Sequence, residues 1–151
     1  MKLHFEPNLD YQIQAIDAVC DLFNGQETCR TEFTVTREAA SGQIPLPENN
    51  LGIGNRLTLL DDELLTNLHA IQLRHSLPPS ATLASGDFTV EMETGTGKTY
   101  VYLRTIFELN KRYGFTKFVI VVPSVAIKEG IYHTIETAAE HLKGIYAGAP
   151  F

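Results

Sequence analysis

The residues best suited to chemistry stand together in Thr94-Gly95-Thr96-Gly97-Lys98-Thr99. A lysine and a threonine hydroxyl directly after a glycine turn suit a polyphosphate. Lys98 would reach the outer phosphates, and the Thr99 hydroxyl would sit on a magnesium ion. The loop backbone must come close to such a ligand and adopt positive φ values, which Gly95 and Gly97 permit. The strict pattern G-x-x-x-x-G-K-S/T fails at its first position, where this chain has Met92. Gln12 is a second candidate: its planar amide offers one acceptor and two donors, matching the edge of an adenine. Phe5, a few residues upstream, is placed to pack against a base. By itself Gln12 reads first as a solvated helix glutamine, and the phosphate loop is what gives the adenine reading weight. His69 and His75 are six apart, on different faces of a helix, so they do not share a metal. Cys20 and Cys29 lack C-x-x-C spacing, and Cys20 falls on an apolar helix face as a small core residue.

The loop needs a strand before it and a helix after it, and the sequence offers both. Asp87–Met92 reads as a strand, Lys98–Tyr113 as a helix, and Gly114 as its C-terminal cap. Lys117-Phe118-Val119-Ile120-Val121-Val122 is continuously apolar and β-branched after its lysine, the pattern of a strand buried on both faces of a parallel sheet. The unit from Asp87 to Val122 is therefore expected to be a right-handed βαβ crossover. Pro123 closes the second strand, and Ser124 caps a helix running through Ile127, Ile131, Ile135 and Ala138 to about His141. Ligands of open α/β sheets bind beyond the carboxyl ends of the strands, where both Met92–Thr99 and Pro123–Ser124 fall.

Upstream, Leu9, Ile13, Ile16, Val19, Cys20 and Phe23 recur at helical spacing, with Asn8 or Asp10 as cap and Gly25 as stop. Thr31–Thr36 alternates as a strand would, and residues 39–50 read as a loop. The G-x-G within Leu51–Leu57 lacks a third glycine and a preceding strand, so it is not read as a second nucleotide loop. Asp61-Asp62 opens a helix from Glu63 to His75, and Pro78-Pro79 ends it.

At 151 residues, 44% hydrophobic and 20% charged, the chain has the size and composition of one globular domain. Its net charge of −6 excludes binding nucleic acid through a broad basic field, so any such contact is local or supplied by a partner. No apolar run of about 18 residues or more marks a transmembrane helix, and the N-terminus lacks a signal-peptide core. A cytoplasmic location is the expectation.

Phe88–Tyr102, with Glu93-Thr94-Gly95-Thr96-Gly97-Lys98-Thr99 inside it, resembles motif I of superfamily-two helicases of the DEAD/DEAH type. More narrowly, it resembles the restriction (Res) subunit of type III restriction–modification enzymes. Val121–Gly130 is similar to motif Ia of that group, and Leu9-Asp10-Tyr11-Gln12 to its upstream Q-type motif. The likeness is tight over about 87–148, good over the first 25 residues and loose between. It accounts for Met92, because in this superfamily the first loop position is commonly not glycine.

The resemblance implies an α/β fold in which a RecA-like parallel P-loop sheet is flanked by helices. This partial domain is preceded by an N-terminal helix and an irregular or helical insertion. Its divisions would be 1–25 for the Q-type helical segment, 26–86 for the insertion and 87–151 for the start of the ATPase domain. ATP and Mg2+ are the implied cofactors. Lys98 and Thr99 would hold the phosphates and the metal, Thr94 would line the site, and Gly95, Thr96 and Gly97 would supply backbone donors. Gln12 would read adenine beside Phe5. Pro123 and Ser124 would lie along the DNA path, though Ser124 reads equally as a plain helix cap. Duplex DNA and a modification (methyltransferase) subunit are the implied partners, and ATP hydrolysis coupled to translocation and endonuclease cleavage the implied activity.

The same resemblance calls for an acidic D-E-x-H or D-E-A-D motif, which does not occur in these 151 residues. The chain is therefore expected to be the N-terminal part of a longer subunit. The competing expectation is a stand-alone ATP-binding module that does not hydrolyse. A small-metabolite kinase ranks third, since Arg104 and Arg112 would face away from the phosphates.

Overall fold

A computed structural model describes residues 6–28 and 55–147. Phe5, Cys29, the expected strand Thr31–Thr36, the expected loop 39–50 and the glycines of Leu51–Gly54 lie outside the described residues.

Four helices make up the regular structure of the described residues: α1 (Asp10–Asp21), α2 (Asp61–Arg74), α3 (Lys98–Tyr113) and α4 (Val125–Ile145). α1 begins without a side-chain cap, so neither Asn8 nor Asp10 plays the expected part. α2 begins where Glu63 reaches back to accept from the Leu60 N–H at 2.8 Å. Three acids in its first turn suit the positive end of the helix dipole. α3 is bounded by two left-handed glycines, Gly97 at φ +83 and Gly114 at φ +70. α4 starts on Ser124, whose hydroxyl accepts from the Ile127 N–H, and it runs four residues past His141.

α3 is the centre of the packing, in contact with α1 and with α4, while α2 touches α1. The spacing of its buried residues explains this. Val101, Thr105, Leu109 and Tyr113 repeat every four residues and form one buried stripe. Val101, Leu109 and Tyr113 join Ile16, Cys20 and Phe115 in a shared core. Tyr100 and Phe107, on an adjacent face, pack with Ala138, Leu142 and Tyr146 of the α4 end. Arg104 is buried among these groups. It donates to Pro7 O at 2.5 Å and to the Tyr146 hydroxyl at 3.4 Å, and it lies over the Tyr100 ring. Arg112 pairs with Asp17 of α1 at 2.7 Å and with Glu108 of its own helix at 3.1 Å. Partly exposed pairs of this kind are worth about 0–1 kcal/mol each, so the apolar core carries the α1–α3 contact.

The expected parallel sheet is not formed: among the described residues there is no strand, and so no βαβ unit. Asp87–Met92 and Lys117–Val122 are irregular segments flanking α3. Val119 is 88% exposed and Val121 87%, the opposite of burial on both faces. A β-branched run favours a pleated, half-buried surface, but a strand exists only when another backbone completes its ladder. Neither run finds such a partner among the described residues, where Phe118 and Met92 of the two pack against the core.

Burial pushes the Cys20 thiol from 9.0 up to about 12, the nearby Arg112 opposing the shift. Because the folded state holds this proton more tightly, the associated stability is fully present below the ordinary thiol pKa. It is lost as pH rises from there toward about 12. At pH 8 the folded protein is expected to carry about a thousandfold less Cys20 thiolate than the unfolded chain. Iodoacetamide labelling followed by peptide mapping should therefore modify Cys20 readily only in denaturant.

Candidate functional site

The segment Met92–Thr99 leads directly into α3. Gly95 and Gly97 both take φ +83, a backbone that side chains rarely adopt. A Cβ on Gly95 would meet nothing within 4 Å, so this glycine serves the turn and leaves its outer side open. Gly97 differs, since a Cβ there would stand 2.8 Å from Gln12 Nε2. The turn is held from within by the Thr96 hydroxyl, which donates to Glu93 O at 2.7 Å. The Lys98 ammonium curls back over the loop and donates to Met92 O at 3.0 Å and to Glu93 O at 2.7 Å. Lys98 is nevertheless exposed, and Thr99 is half-buried at the first turn of α3. No side chain caps that helix start, so its first N–H groups and its dipole remain available to an anion.

This donor set fits a triphosphate: an exposed lysine, a helix N-terminus without a capping side chain and a turn left open at Gly95. Lys98 and the loop amides would hold the phosphates, and Thr99 would supply one oxygen to a magnesium ion, which neutralises charge between phosphate oxygens. Among the described residues no cluster of three or more His, Cys, Asp or Glu side chains forms a metal site. Glu93 takes part through its backbone carbonyl, which accepts from both Thr96 and Lys98.

Gln12 and the loop are brought together across 84 residues. Gln12 is only 6% exposed, and its Nε2 donates to Thr96 O at 2.9 Å. Its Oε1 is buried without a partner. The amide therefore faces the loop backbone rather than solvent. Sequence reading missed this contact, although a signal was present: Gln12, Ile16 and Cys20 are the three buried residues of α1, spaced by four. Gln12 thus continues the face that packs on α3.

Pro123 and Ser124 are exposed. Ser124 is the N-cap of α4, accepting from Ile127 N–H at 3.3 Å, and no hydrogen bond joins either residue to the Met92–Thr99 loop. His69 of α2 and His75, directly after that helix, are both half-buried. The His69 ring bonds Ser80 O at 2.6 Å, and His75 Nε2 is buried without a partner.

Tyr100, directly after Thr99, is tied to α4 through a 2.7 Å hydrogen bond between its hydroxyl and His141 Nε2. Together with Arg104 it fixes the first turns of α3 against the α4 end. Burial pushes the Tyr146 hydroxyl up to about 12, with Arg104 opposing and Glu108 reinforcing the shift. This phenol stays protonated at neutral pH and donates to Glu108 at 2.8 Å.

A family model for the type III restriction enzyme Res subunit matches residues 6–148. The Res subunit of the type III restriction–modification enzyme EcoP15I from Escherichia coli is 32% identical over 146 residues, 93% of this chain and 14% of that protein. The EcoPI Res subunit of Escherichia phage P1 is 33% identical over 147 residues, 94% of this chain and again 14% of the relative. The StyLTI Res subunit of Salmonella typhimurium is 54% identical over 59 residues, 38% of this chain and 6% of that protein. The chain thus spans about one-seventh of the length of the first two relatives.

Proposed function

The chain belongs to the type III restriction enzyme Res-subunit family, and from that membership we propose that it forms the nucleotide-binding entry to a DNA-translocating motor. ATP with Mg2+ is the ligand. The observation that carries this reading is the Gly95–Thr99 turn at the start of α3, with Lys98 exposed and no capping side chain over the helix N-terminus. In the proposed complex Lys98 leaves the Met92 and Glu93 carbonyls for the outer phosphates. Thr94 lines the site, the loop amides cradle the phosphate oxygens, and Thr99 holds the metal. Phosphoryl transfer depends on positioning and charge stabilisation, and these residues supply the positioning. The water-activating acid is not among these 151 residues, which contain no D-E-x-H or D-E-A-D motif. It belongs to the rest of the subunit.

Duplex DNA is the proposed substrate, with Pro123 and the exposed start of α4 contacting a strand phosphate. The net charge of −6 makes that contact local. A modification subunit is the proposed partner that reads the DNA sequence, and cleavage belongs to a nuclease segment outside these residues. No helix among the described residues is long and apolar enough to cross a membrane. The divisions 1–25, 26–86 and 87–151 are retained as the proposed organisation. The test is ATP turnover by the full-length protein with its modification subunit, with and without duplex DNA. DNA-dependent release of phosphate is expected, and absence of turnover in the presence of both partners would overturn the reading.

A further inference from the structure

Residues 116–122 lead to Pro123 and the start of α4, and among the described residues no ladder holds them. Their polar tether is a single side chain from far upstream. Asn55 Oδ1 accepts from the Thr116 N–H at 2.9 Å and from the Lys117 N–H at 3.1 Å, and Asn55 Nδ2 donates to Lys117 O at 2.7 Å. One planar amide thus meets the donor and the acceptor of Lys117 together, as the backbone of an adjacent strand would. No other hydrogen bond reaches 116–122 among the described residues. Phe118 packs against the core, but Val119 and Val121 stand in solvent, so the segment is held only at its first residues.

Asn55 is itself exposed, and an exposed side chain gains from such bonds only where its own backbone is already placed. Gln26 places it. This residue follows Gly25 at the end of the α1 segment and is 7% exposed. Its Nε2 donates to Arg56 O at 3.1 Å and to Glu27 O at 2.8 Å, and its Oε1 accepts from the Thr58 N–H at 2.9 Å. Two amides in series therefore run from the α1 end, through residues 56–58 and Asn55, to Lys117. Because α1 packs on α3, the segment entering α4 is held relative to the same body that carries the Met92–Thr99 loop. Among the described residues neither amide bonds to that loop.

We propose that Asn55 is a positioning residue for the DNA contact at Pro123 and the start of α4, acting through the backbone of Thr116 and Lys117 and braced by Gln26. This rests on the reading of the chain as part of a DNA-translocating motor. Asn55→Ala removes all three bonds, whereas Asn55→Asp keeps the two acceptor bonds and loses the donor to Lys117 O. In the full-length protein with its modification subunit, Asn55→Ala is expected to lower ATP turnover at saturating duplex DNA about tenfold, the weight of one to two hydrogen bonds. Asn55→Asp should lie between it and wild type. Displacement of a fluorescent ATP analogue in the absence of DNA should give unchanged ATP affinity in both. Undiminished DNA-stimulated turnover in Asn55→Ala would overturn the proposal. An equal loss of ATP affinity would overturn it too, by making Asn55 a general scaffold residue. The melting midpoint establishes that each variant folds, and if Asn55→Ala does not, Asn55→Asp carries the same comparison.

A wild-type protein without DNA-stimulated turnover would sink the motor reading, and the DNA contact with it. Amide hydrogen exchange then decides whether the tether itself exists. Peptides covering residues 116–122 should exchange about tenfold faster in Asn55→Ala than in wild type, and unchanged exchange would show that Asn55 holds nothing.

Discussion

Lys98→Ala is expected to lower DNA-dependent ATP hydrolysis by the full-length protein about a hundred- to a thousandfold, with its melting midpoint essentially unmoved. On the proposed reading the rate effect follows from removing a cation that would meet developing phosphate charge, for which losses of about 10²–10³ are typical. The stability effect is small for a reason visible in the loop. Lys98 is exposed, and it donates to Met92 O and Glu93 O at 3.0 and 2.7 Å. Both carbonyls belong to a surface turn, where water can replace the ammonium once it is gone. Exposed substitutions of this kind usually stay within about 0.5 kcal/mol. Lys98→Arg is expected to fare little better, because a guanidinium has a different shape and donor geometry from a compact ammonium. The measurement is steady-state phosphate release against DNA concentration, paired with thermal unfolding. Undiminished turnover in Lys98→Ala would remove the loop from the chemistry. A large drop in melting midpoint would instead make Lys98 a structural residue.

The turn before α3 was legible in the sequence because it is local: Gly95 and Gly97 both take the positive φ that a glycine turn was expected to need. The bounds of α3 were legible for the same reason, since Gly97 and Gly114 take the left-handed conformations that start and stop a helix. Ser124 as the start of α4 is likewise a short-range matter, its hydroxyl meeting an N–H three residues on. What escaped depends on groups distant in the chain. Gln12 was assigned to a base because an amide carries both donor and acceptor. Its place on the Ile16–Cys20 face also brings its Nε2 to Thr96 O, a contact between residues 84 apart in the chain. The network of Tyr100, Arg104, His141 and Tyr146 has no sequence signature, because its members come from two helices and meet only after α3 and α4 pack.

The sheet was the largest error, and Val119 and Val121 show its origin. Hydrophobicity and β-branching describe what a strand needs once it has neighbours. They do not supply the neighbours, and in this fold both side chains stand almost fully in solvent.

That exposure has a consequence of its own. The isolated 151-residue chain is expected to self-associate at micromolar concentrations through the segment around Val119–Val121, and Val119→Lys with Val121→Lys is expected to keep it monomeric. Val119 and Val121 are 88% and 87% exposed, and Val125, at the start of α4, is 73% exposed. Among the described residues the backbone between Lys117 and Val122 has no strand partner, the arrangement that templates pairing with another chain. Burying two valine side chains is worth on the order of 3 kcal/mol, which raises an association constant by about a hundredfold. Lysines there remove that gain and place like charges opposite one another in any pairing of two copies. Neither side chain contributes to the cores around Ile16 and Ala138, so helix content and melting behaviour should stay as they were. Size-exclusion chromatography with light scattering across a concentration series gives the result directly. A wild-type chain that remains monomeric at tens of micromolar would show that this run, although apolar and open, is not an associating edge.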